Sequence, residues 1–588
     1  MALLRTFLGF AALLLAGLPS TAPANAQLLD PRSAPEASTG LQSHALARAK
    51  SQMVSAANAV AASTGREMLR AGGSAIDAAI ATQLVLNLVE PQSSGIGGGA
   101  FILYWDNAKS ELKTFDGRET APASATPDRF LVDGKPMPFD KAVLSGLSIG
   151  VPGLVKLLED VHGKYGKLPW AKLFEPAIRL AENGFEISPR LHLLLRLESA
   201  ESFVPAARSY FYTGTGSPLP IGHTLKNPQY AATLKAIAEG GSRAFYEGPI
   251  AQAIVDAVNS APIAPGGMTL EDLKSYQAKE RPPLCITYRA YEVCGMGPPS
   301  SGAPAVAETL KLVEPFDLGK GREAALNARA VHLIAEAQKL AYADRNKYIG
   351  DPDFVAVPGG LLDDAYLAQR RTLINPDAAA AKPKAGEPPG SKRQSFGVDA
   401  TIERAGTSHI SIIDAEGNAL SMTTTIEGAF GSHNWAAGFL LNNELTDFSF
   451  APVDAAGQPV ANAVGPGKRP RSSMAPTIVF DGQRHITAVL GSPGGSRIIL
   501  YVLKTLIALI DWGLDAQEAA DLMNFGSQGS GLELEPDWSA VPLALTLRPL
   551  GHTIVPSLMN SGIHIVMRRN GELEGAADAR REGAALGD

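Results

Sequence analysis

The feature that most constrains this chain is an abrupt change of composition shortly before Thr407. Residues 376–392 are rich in Pro, Ala, Gly and Lys, which is the composition of a linker, and we place a flexible linker at about 375–406. Two apolar runs follow, 408–413 and 419–426, separated by residues that favour hairpin loops. The sequence therefore predicts a boundary followed at once by a buried β-hairpin, with Thr407 at the junction.

The register of this hairpin decides what faces Thr407. Counting outward from the loop places Thr407 opposite either Ile426 or Thr425, depending on a one-residue difference in loop geometry. In both registers a second threonine hydroxyl lies beside the first. A hydroxyl nucleophile at such a junction can attack the preceding carbonyl, and the freed α-amine can then act as the base for the same side chain. We therefore predict self-cleavage between Gly406 and Thr407.

The bulk composition is that of a large globular protein. The 588 residues are 45% hydrophobic and 19% charged, which is enough to bury a large core in several domains or in one large α/β body. A formal net charge of −7 argues against nucleic-acid binding, and the sequence shows no basic patch for a membrane surface.

Residues 1–26 have the pattern of a signal peptide. Arg5 supplies the positive charge, 8–18 is apolar, and 24–26 (Ala-Asn-Ala) forms a small-x-small cleavage site. The alternative is a membrane anchor, but the apolar run is shorter than the ~20 residues that a span needs. We expect the mature chain to begin near Gln27, in the periplasm or outside the cell.

The only two cysteines, Cys285 and Cys294, lie in one predicted hairpin. If Arg289 and Ala290 form a two-residue turn, counting outward places the cysteines opposite each other. Opposed residues of antiparallel strands lie within the Cα separation that a disulfide accepts. An exported chain can form such a bond, so we predict a structural disulfide; the alternative is a pair of buried free thiols.

Apolar spacing predicts helices over much of the first 350 residues. Residues 45–70 read as one helix, and a second helix begins at Ala75 with Ser74 as its N-cap. Residues 150–260 and 300–350 show the same three- and four-residue spacing.

A glycine-rich loop, 94–100, precedes a predicted strand at 101–105. Such a loop can bind phosphate, but this one leads into a strand, and no Gly-Lys-Ser/Thr follows it. We therefore predict that these glycines allow close packing of backbone against backbone.

Four short polar motifs follow Thr407 within about 90 residues. Each alone has an ordinary explanation as a turn, a bend or a solvated face. Together they supply acceptors for an ammonium group, donors for a carboxylate and backbone N–H donors for an oxyanion. The motifs are 423–427 (Thr-Thr-Thr-Ile-Glu), 440–448, 468–477 and 491–497 (Gly-Ser-Pro-Gly-Gly-Ser-Arg).

With these motifs the chain resembles the γ-glutamyltransferases, or glutathione hydrolase proenzymes, of the N-terminal-nucleophile hydrolase superfamily. The resemblance covers most of the mature chain, and three further segments resemble landmarks of the family: 89–99, 342–345 (Tyr-Ala-Asp-Arg) and 462–466. It implies an α+β fold, a four-layer αββα sandwich. It also implies that cleavage yields a large subunit, 27–406, and a small subunit, 407–588, which stay together.

The resemblance assigns the chemistry to the second half of the chain. Thr407 would be both the processing residue and the catalytic nucleophile, with Thr425 hydrogen-bonded to it. The backbone N–H groups of Gly494 and Gly495 would stabilise the tetrahedral oxyanion. An α-amine titrates near ~7.7–8.0, which suits that of Thr407 to general-base work.

The resemblance also implies a pocket for the γ-glutamyl group. Its α-carboxylate would be held by a planar guanidinium, which matches a carboxylate, and by two hydroxyls. Its α-ammonium would be held by three acids, whose mutual repulsion would raise one pKa, so we expect substrate affinity to weaken as the pH falls. The residues are Arg118, Ser472 and Ser473 for the carboxylate, and Glu427, Glu444 and Asp447 for the ammonium.

The implied reaction is cleavage of a γ-glutamyl amide through an ester of Thr407, with transfer to water, an amino acid or a peptide. Glutathione and other γ-glutamyl compounds are the expected partners; no cofactor, metal ion or nucleic acid is expected.

Two departures from the family stand out. Glu427 replaces an amide found in many members, and the short stretch 449–461 has no tyrosine. The second departure resembles members without a lid loop, whose open site admits water and large acceptors.

Three other functions remain open on the sequence. Cephalosporin (glutaryl) acylases share the architecture, but the three acids favour an acyl group that carries an amine. A serine hydrolase would use Ser148, in the elbow-like 146–150, although no His or Asp partner is marked. A periplasmic binding protein gives no reason for Thr407. Metal catalysis lacks support because the ten histidines show no His-Glu-x-x-His, and the adjacent Ser408 and His409 would point to opposite faces of a strand.

Overall fold

The computed structural model describes residues 44–401, 403 and 406–588. The predicted signal peptide, 1–26, lies outside the described residues. Among the described residues, no helix is both long enough and apolar enough to cross a membrane.

Two seven-stranded antiparallel sheets form the centre of the fold. Their strands within the described residues are β1 (Ala47–Ala49), β2 (Met53–Ala56), β3 (Gly99–Asp106), β4 (Glu111–Gly117), β5 (Lys279–Arg281), β6 (Pro283–Tyr288), β7 (Tyr291–Met296), β8 (Gly406–Ile413), β9 (Ala419–Glu427), β10 (Thr477–Phe480), β11 (Ile486–Gly491), β12 (His564–Arg569), β13 (Glu572–Ala577) and β14 (Ala584–Gly587). The first sheet has the order β14-β2-β8-β9-β3-β4-β5, and the second has the order β1-β13-β12-β11-β10-β7-β6. The hairpin that begins at Thr407 therefore lies in the middle of the first sheet.

Helices cover the outer faces of both sheets. The α-helices of the described residues are α1 (Ala59–Arg70), α2 (Ala75–Val89), α3 (Phe139–Val143), α4 (Leu154–Tyr165), α5 (Glu175–Asn183), α6 (Pro189–Leu197), α7 (Pro205–Phe211), α8 (Pro228–Gly240), α9 (Arg243–Tyr246), α10 (Gly248–Asn259), α11 (Leu270–Lys274), α12 (Gly302–Val313), α13 (Ala328–Tyr348), α14 (Asp364–Arg371), α15 (Ile498–Ile510), α16 (Ala516–Asp521) and α17 (Ala540–Leu547). Helices α1, α2 and α4 contact the first sheet, whereas α12, α15 and α16 contact the second. With the two sheets in contact between them, this is the predicted four-layer αββα sandwich.

Short strand pairs lie outside the two sheets. They are Leu131–Val132 with Lys135–Pro136, Phe185–Glu186 with Thr224–Leu225, Trp435–Ala436 with Phe439–Leu440, and a three-stranded group of Phe525–Gly526, Leu532–Leu534 and Ile554–Pro556.

Strand β8 shows how the layers are joined. Ile410 and Ile412 alternate into the apolar core shared with α1 and α2. The intervening Ser411 points the other way and donates to the carbonyl oxygen of His564 on the second sheet at 3.0 Å. One face of the strand is therefore held by hydrophobic burial, and the other by hydrogen bonds between the sheets.

The predicted helix over 45–70 is wrong in its first part. Residues 47–49 and 53–56 form β1 and β2, and α1 begins at Ala59 after the N-cap Asn58. Strands β1 and β2 pair with β13 and β14, more than 500 residues away. Because these pairings satisfy the backbone hydrogen bonds of both strands and bury β2, tertiary contacts override the helical preference of the alanines.

Two local predictions are confirmed. Ser74 caps α2 with a reciprocal capping box, since its hydroxyl accepts from the Asp77 N–H while the Asp77 side chain accepts from the Ser74 N–H. In the glycine-rich loop, a Cβ on Gly98 would collide with the carbonyl oxygen of Thr425, and one on Gly97 with that of Leu440. The loop packs backbone against backbone, as expected for glycine.

The β6–β7 hairpin has the register that the sequence predicts. Tyr288 lies opposite Tyr291, and Cys285 lies opposite Cys294. The two sulfur atoms are bonded to each other. The hairpin forms one edge of the second sheet.

The segment that precedes the junction runs along α13. The backbone N–H of Gly386 donates to Asp344 at 2.7 Å, and that of Asp399 donates to the carbonyl oxygen of Asn346 at 2.8 Å. These contacts guide the chain from residue 375 to the start of β8. Among the described residues of this segment, the three-residue 3-10 turn Ser391–Arg393 is the longest regular element.

Candidate active site

Thr407 is the second residue of β8 and lies beside Thr425 on β9. The register pairs these two residues, so the geometry with Thr425 is the one adopted and the pairing with Ile426 is not. The Thr407 hydroxyl donates to the Thr425 hydroxyl at 3.4 Å. Both residues are buried, with at most 4% of their surface exposed. The two threonine hydroxyls are thus in direct contact, shielded from bulk solvent.

The peptide bond before Thr407 is in an unusual setting. The strand register shifts between Gly406 and Thr407, which places Gly406 opposite Glu427. The Thr425 hydroxyl donates to the carbonyl oxygen of Gly406 at 2.5 Å and accepts from the Glu427 N–H at 2.7 Å. A Cβ at position 406 would lie 2.5 Å from the Glu427 carbonyl oxygen. Glycine is therefore needed here, and its carbonyl is polarised by a hydroxyl donor.

Arg581 fixes the other side of the nucleophile. Its Nη1 donates to the carbonyl oxygen of Thr407 at 3.2 Å, from a buried position just before β14. Sequence reasoning missed this contact because the two residues are 174 positions apart and no local pattern links them.

Gly494 and Gly495 form the turn in front of α15. Both have positive φ, 139° and 56°, which favours glycine. Gly495 opens the 3-10 turn Gly495–Arg497 and lines the same cavity as Thr407. Within the part of the chain that the structure describes, neither glycine N–H donates to another residue. Both N–H groups are thus available to a bound group.

Arg118 is enclosed by two of the predicted acids. Its guanidinium donates to Glu444 and, at 2.6 Å, to Asp447. It also donates to the carbonyl oxygens of Pro470 at 3.2 Å and Arg471 at 2.8 Å. Only 1% of the Arg118 surface is exposed. The predicted carboxylate ligand and two of the predicted ammonium ligands therefore form one ion-paired cluster.

Burial shapes the protonation of this cluster. Desolvation raises the pKa of Glu444 and raises that of Asp447 well above its ordinary value, although Arg118 opposes both shifts. Glu119, the neighbour of Arg118, has its pKa raised well above the ordinary value by burial and by Glu444. A cationic group that entered the cavity would lower the pKa of these acids and favour their ionised forms.

Glu427 is positioned by Asn443. The Asn443 amide donates to the Glu427 carboxylate, and its oxygen accepts from the Gly428 N–H at 2.8 Å. Glu427 adopts a positive φ of 74°, which is uncommon for a residue with a side chain. Sequence reasoning had quoted Asn443 only as part of the 440–448 motif, without a role.

Ser473 binds a carboxylate that the sequence analysis did not anticipate. Its hydroxyl donates to Glu403 at 2.5 Å. Arg345 donates to Glu403 at 2.5 Å and to the Ser473 hydroxyl at 2.6 Å, and Arg471 donates to Glu403 at 3.0 Å. Glu403 lies just upstream of the predicted cleavage site, so no spacing rule pointed to it as a pocket residue.

One cavity collects these side chains. Its volume is about 20 Å³, which is close to the space that a single water needs. Of the predicted residues, Gly406 and Gly494 are adjacent to the lining in sequence without being part of it. The cavity is lined by Arg118, Glu403, Thr407, Thr425, Glu427, Glu444, Asp447, Ser472, Ser473, Met474, Gly495 and Ile498.

The two other catalytic arrangements that the sequence offers, an elbow serine and a Ser-His dyad, are not formed among the described residues. Ser148 is buried in the 3-10 turn Gly146–Ser148, and its hydroxyl donates to the carbonyl oxygens of Val143 and Ser145 at 2.7 and 2.8 Å. His409 hydrogen-bonds Thr423 at 2.8 Å and Ser411 at 3.0 Å rather than its neighbour in sequence. The elbow-like motif is therefore a structural turn, and His409 forms no dyad with the preceding serine.

Comparison with known proteins places this geometry in a family. The sequence pattern described as Gamma-glutamyltranspeptidase matches residues 61–588. The chain belongs to the gamma-glutamyltranspeptidase family. It is 37% identical over 553 residues to the "Glutathione hydrolase proenzyme" of Bacillus subtilis (strain 168), with 92% of each chain covered. It is 38% identical over 545 residues to the protein of the same name from Escherichia coli (strain K12), with 91% of each covered.

A solved relative extends the comparison to the fold. The crystal structure of a cephalosporin acylase from Bacillus halodurans matches with a TM-score of 0.81 at 28% identity, covering 95% of this chain and 99% of that one. The predicted four-layer fold and membership of an enzyme family are confirmed. The roles of individual residues in this gamma-glutamyltranspeptidase-family chain stay predictions, which the geometry above makes specific.

Proposed function

We propose that this chain is a self-processing γ-glutamyltransferase and glutathione hydrolase with Thr407 as its nucleophile. The observation that carries the proposal is the hydroxyl relay at the junction, in which Thr407 donates to Thr425 and Thr425 donates to the Gly406 carbonyl oxygen. Both partners of a self-cleavage reaction, the nucleophile and the polarised carbonyl, are thereby held at one point of the fold.

In the processing step, the Thr407 oxygen attacks the Gly406 carbonyl carbon. The bond from this carbon to the Thr407 nitrogen then breaks, the hydroxyl proton passes to that nitrogen, and an ester remains. Water hydrolyses the ester, which leaves a carboxylate on Gly406 and a free α-amine on Thr407. The proposed products are a large subunit, 27–406, and a small subunit, 407–588. They stay together because β8 and β9 of the small part lie between β2 and β3 of the large part in one sheet.

In the catalytic step, the Thr407 α-amine accepts the proton of its own hydroxyl. The oxygen attacks the γ-amide carbon of the donor, and the N–H groups of Gly494 and Gly495 bind the oxyanion that forms. The amine product leaves with the proton. Water, an amino acid or a peptide then attacks the γ-glutamyl ester and restores Thr407.

The same cavity supplies contacts for both ends of the γ-glutamyl group. The donor's α-carboxylate would contact Arg118 with Ser472 and Ser473, and its α-ammonium would contact the acids. Arg118 is already in contact with Glu444 and Asp447, so a zwitterionic amino-acid group would insert its opposite charges into an existing ion-paired cluster. The ammonium ligands would be Glu427, Glu444 and Asp447.

A glutaryl acylase on the same fold is the second candidate, since one solved relative is titled a cephalosporin acylase. The buried acids argue against it. A glutaryl group has no ammonium to pair with Glu427, Glu444 and Asp447. Its carboxylate would share Arg118 with Glu444 and Asp447 without bringing a further cation, whereas a γ-glutamyl group brings its own. Comparing γ-glutamyl-p-nitroanilide with glutaryl-p-nitroanilide tests this: we expect turnover of the first compound and little of the second, and the reverse preference would refute the γ-glutamyl proposal.

Intact mass spectrometry of the purified protein tests the processing step. Wild type should give fragments 27–406 and 407–588, and Thr407→Ala should remain one chain. A fragment beginning at Gln27, recovered from the periplasm or the medium, would also support the proposed export. An active wild-type preparation that stays uncut would contradict the mechanism.

A further inference from the structure

A carboxylate from the chain's own upstream segment occupies one end of the cavity. Glu403 accepts from Ser473 at 2.5 Å, from Arg345 at 2.5 Å and from Arg471 at 3.0 Å. The two guanidinium groups hold the pKa of Glu403 down to about 2, so it is ionised. Two arginines and a hydroxyl thus form a built binding site for a carboxylate.

The arginines are held in place without Glu403. Arg345 also donates to Ser301 at 2.8 Å and to Asn346 at 2.7 Å, and Arg471 pairs with Asp399 at 3.0 Å. Among the described residues, the Nε and Nη1 groups of Arg471 are buried without a hydrogen-bond partner. The site therefore has a fixed geometry and unused donors.

Arg345 and Arg471 would carry an unbalanced positive charge if Glu403 moved away. In the part of the chain that the structure describes, Arg345 and Arg471 form ion pairs with Glu403 and Asp399. Removal of Glu403 leaves two guanidinium groups against one carboxylate. A buried net positive charge favours the binding of another anion at the same place.

The working enzyme requires such a movement. The cavity of about 20 Å³ has no room for a γ-glutamyl group while Glu403 lies in it. Cleavage after Gly406 turns the segment that bears Glu403 into a free chain end, which is no longer tethered to β8. The tail can then withdraw and exchange its carboxylate for one from a ligand.

We propose that in the cleaved enzyme Arg345 and Arg471 form a second carboxylate subsite that binds a carboxylate on the leaving group of the donor. The Ser473 hydroxyl, once Glu403 has moved away, serves the α-carboxylate together with Arg118. This inference rests on the proposed function. Arg118, with its own acids, keeps the γ-glutamyl end of the donor. The subsite favours γ-glutamyl peptides, whose leaving group ends in a carboxylate, over donors with a neutral leaving group.

Two chromogenic donors that differ by one carboxylate test the subsite. They are γ-glutamyl-p-nitroanilide and its analogue with a carboxylate on the aniline ring, and the readout is the ratio of their kcat/KM values. We expect wild type to prefer the carboxylated donor. Arg471→Gln should lower the ratio by about tenfold or more, because hydrogen bonds to charged groups contribute this much, whereas Arg471→Lys, which keeps the charge, should retain most of it.

Arg469→Gln is the matched control. Arg469 is equally buried two positions away, but its ion-pair partner is Asp116, so its loss should leave the ratio unchanged. A wild-type ratio near one would overturn the subsite without any variant, as would equal ratios for Arg471→Gln and wild type. A wild type that cleaves neither donor would instead refute the proposed function.

Discussion

Two buried arginine clusters border the cavity, and they differ in what neutralises them. Arg118 is paired with Glu444 and Asp447, which lie downstream of the predicted cleavage site in a single 3-10 turn. Arg345 and Arg471 are paired in part with Glu403, which lies upstream of it. The proposed cleavage would leave the first cluster intact and free the segment that carries a partner of the second.

The difference shows how one kind of residue can serve two purposes in the same cavity. A guanidinium whose acids are fixed by the fold keeps its charge balance in every state of the chain. A guanidinium whose acid belongs to a releasable segment has its charge balanced in the precursor, and under our proposal it would become a binding site for another anion after the cut. The difference between the clusters therefore requires three things: cleavage before Thr407, acids of the first cluster that the fold holds in place, and an upstream segment carrying Glu403 that can move.

The largest expected effect comes from preventing the cut. Thr425→Ala removes the hydroxyl that donates to the Gly406 carbonyl oxygen, and the loss of one such donor costs about 10²–10³ in rate. The uncut fraction should therefore persist far longer than in wild type, as followed by gel electrophoresis over time. Thr425→Ser should restore most of the rate.

Thr424→Ala provides the matched control for this experiment. The Thr424 hydroxyl donates to the carbonyl oxygen of Gly99 at 3.2 Å and has no contact with the junction. Its loss should leave processing close to the wild-type rate. If Thr424→Ala and Thr425→Ala were processed equally slowly, the hydroxyl relay from Thr407 through Thr425 to Gly406 would have no special role in the cut.

The two clusters should also differ in stability. In an uncut Thr407→Ala background, Arg118→Leu leaves Glu444 and Asp447 buried without their cation, which should cost about 3–5 kcal/mol. Arg345→Leu should cost less, because Glu403 keeps Arg471 and lies on a segment that can turn toward water. Urea denaturation of both variants measures the difference, and equal midpoints would break the distinction between a fixed and a releasable partner.

A smaller effect on the stability of the uncut precursor is expected from Gly406, where the upstream segment joins β8. A Cβ added to Gly406 in β8 would lie only 2.5 Å from the carbonyl oxygen of Glu427 and 2.6 Å from that of Gly428. Gly406→Ala in the same uncut background should therefore destabilise the precursor by about 1–3 kcal/mol through overpacking.

Gly163→Ala is the control for that substitution. Gly163 lies in α4 with open space around its missing Cβ. Alanine should be neutral there or stabilise the helix by up to about 1 kcal/mol. A tolerated alanine at 406 would mean that the start of β8 can adjust to a side chain, so that close packing at Gly406 does not hold the upstream segment in place.

Several parts of the fold are predictable from local sequence patterns. The hairpin after the junction, the Ser74 cap and the close-packed glycines depend on neighbours in sequence, and patterns of turn residues and small residues report such contacts. The nucleophile was predictable for the same reason, since Thr407 stands where a linker composition meets a strand.

The rest depends on contacts between distant segments. Strands β1 and β2 are alanine-rich and look helical until their partners near the C-terminus are known. Arg581 reaches Thr407 from 174 residues away. Arg345 and Arg471 stood in recognised motifs, but only the fold brings them to Glu403. The sequence and the family resemblance together predicted most residues of the cavity, but neither pointed to Glu403 or to the way in which the charges are paired.

The smallest expected effect concerns pH, and it separates the two clusters by their acids. Burial raises the pKa of Glu444 and, more strongly, that of Asp447, so both become protonated at a higher pH than ordinary carboxyls. Because an ammonium group binds the charged form, KM for γ-glutamyl-p-nitroanilide should rise several-fold as the pH falls from about 8 to about 5.

The second cluster should behave differently over the same range. Its guanidinium groups stay charged over this pH range, and Glu403 no longer occupies the subsite in the cleaved enzyme. The ratio of kcat/KM for the ring-carboxylated donor to that for the neutral donor should therefore change little while KM for each donor rises. A flat KM would show that the fixed acids are not the ammonium ligands. A ratio that collapsed in parallel with KM would show that the two clusters titrate as one, because the leaving-group carboxylate would then depend on the same protons as the ammonium.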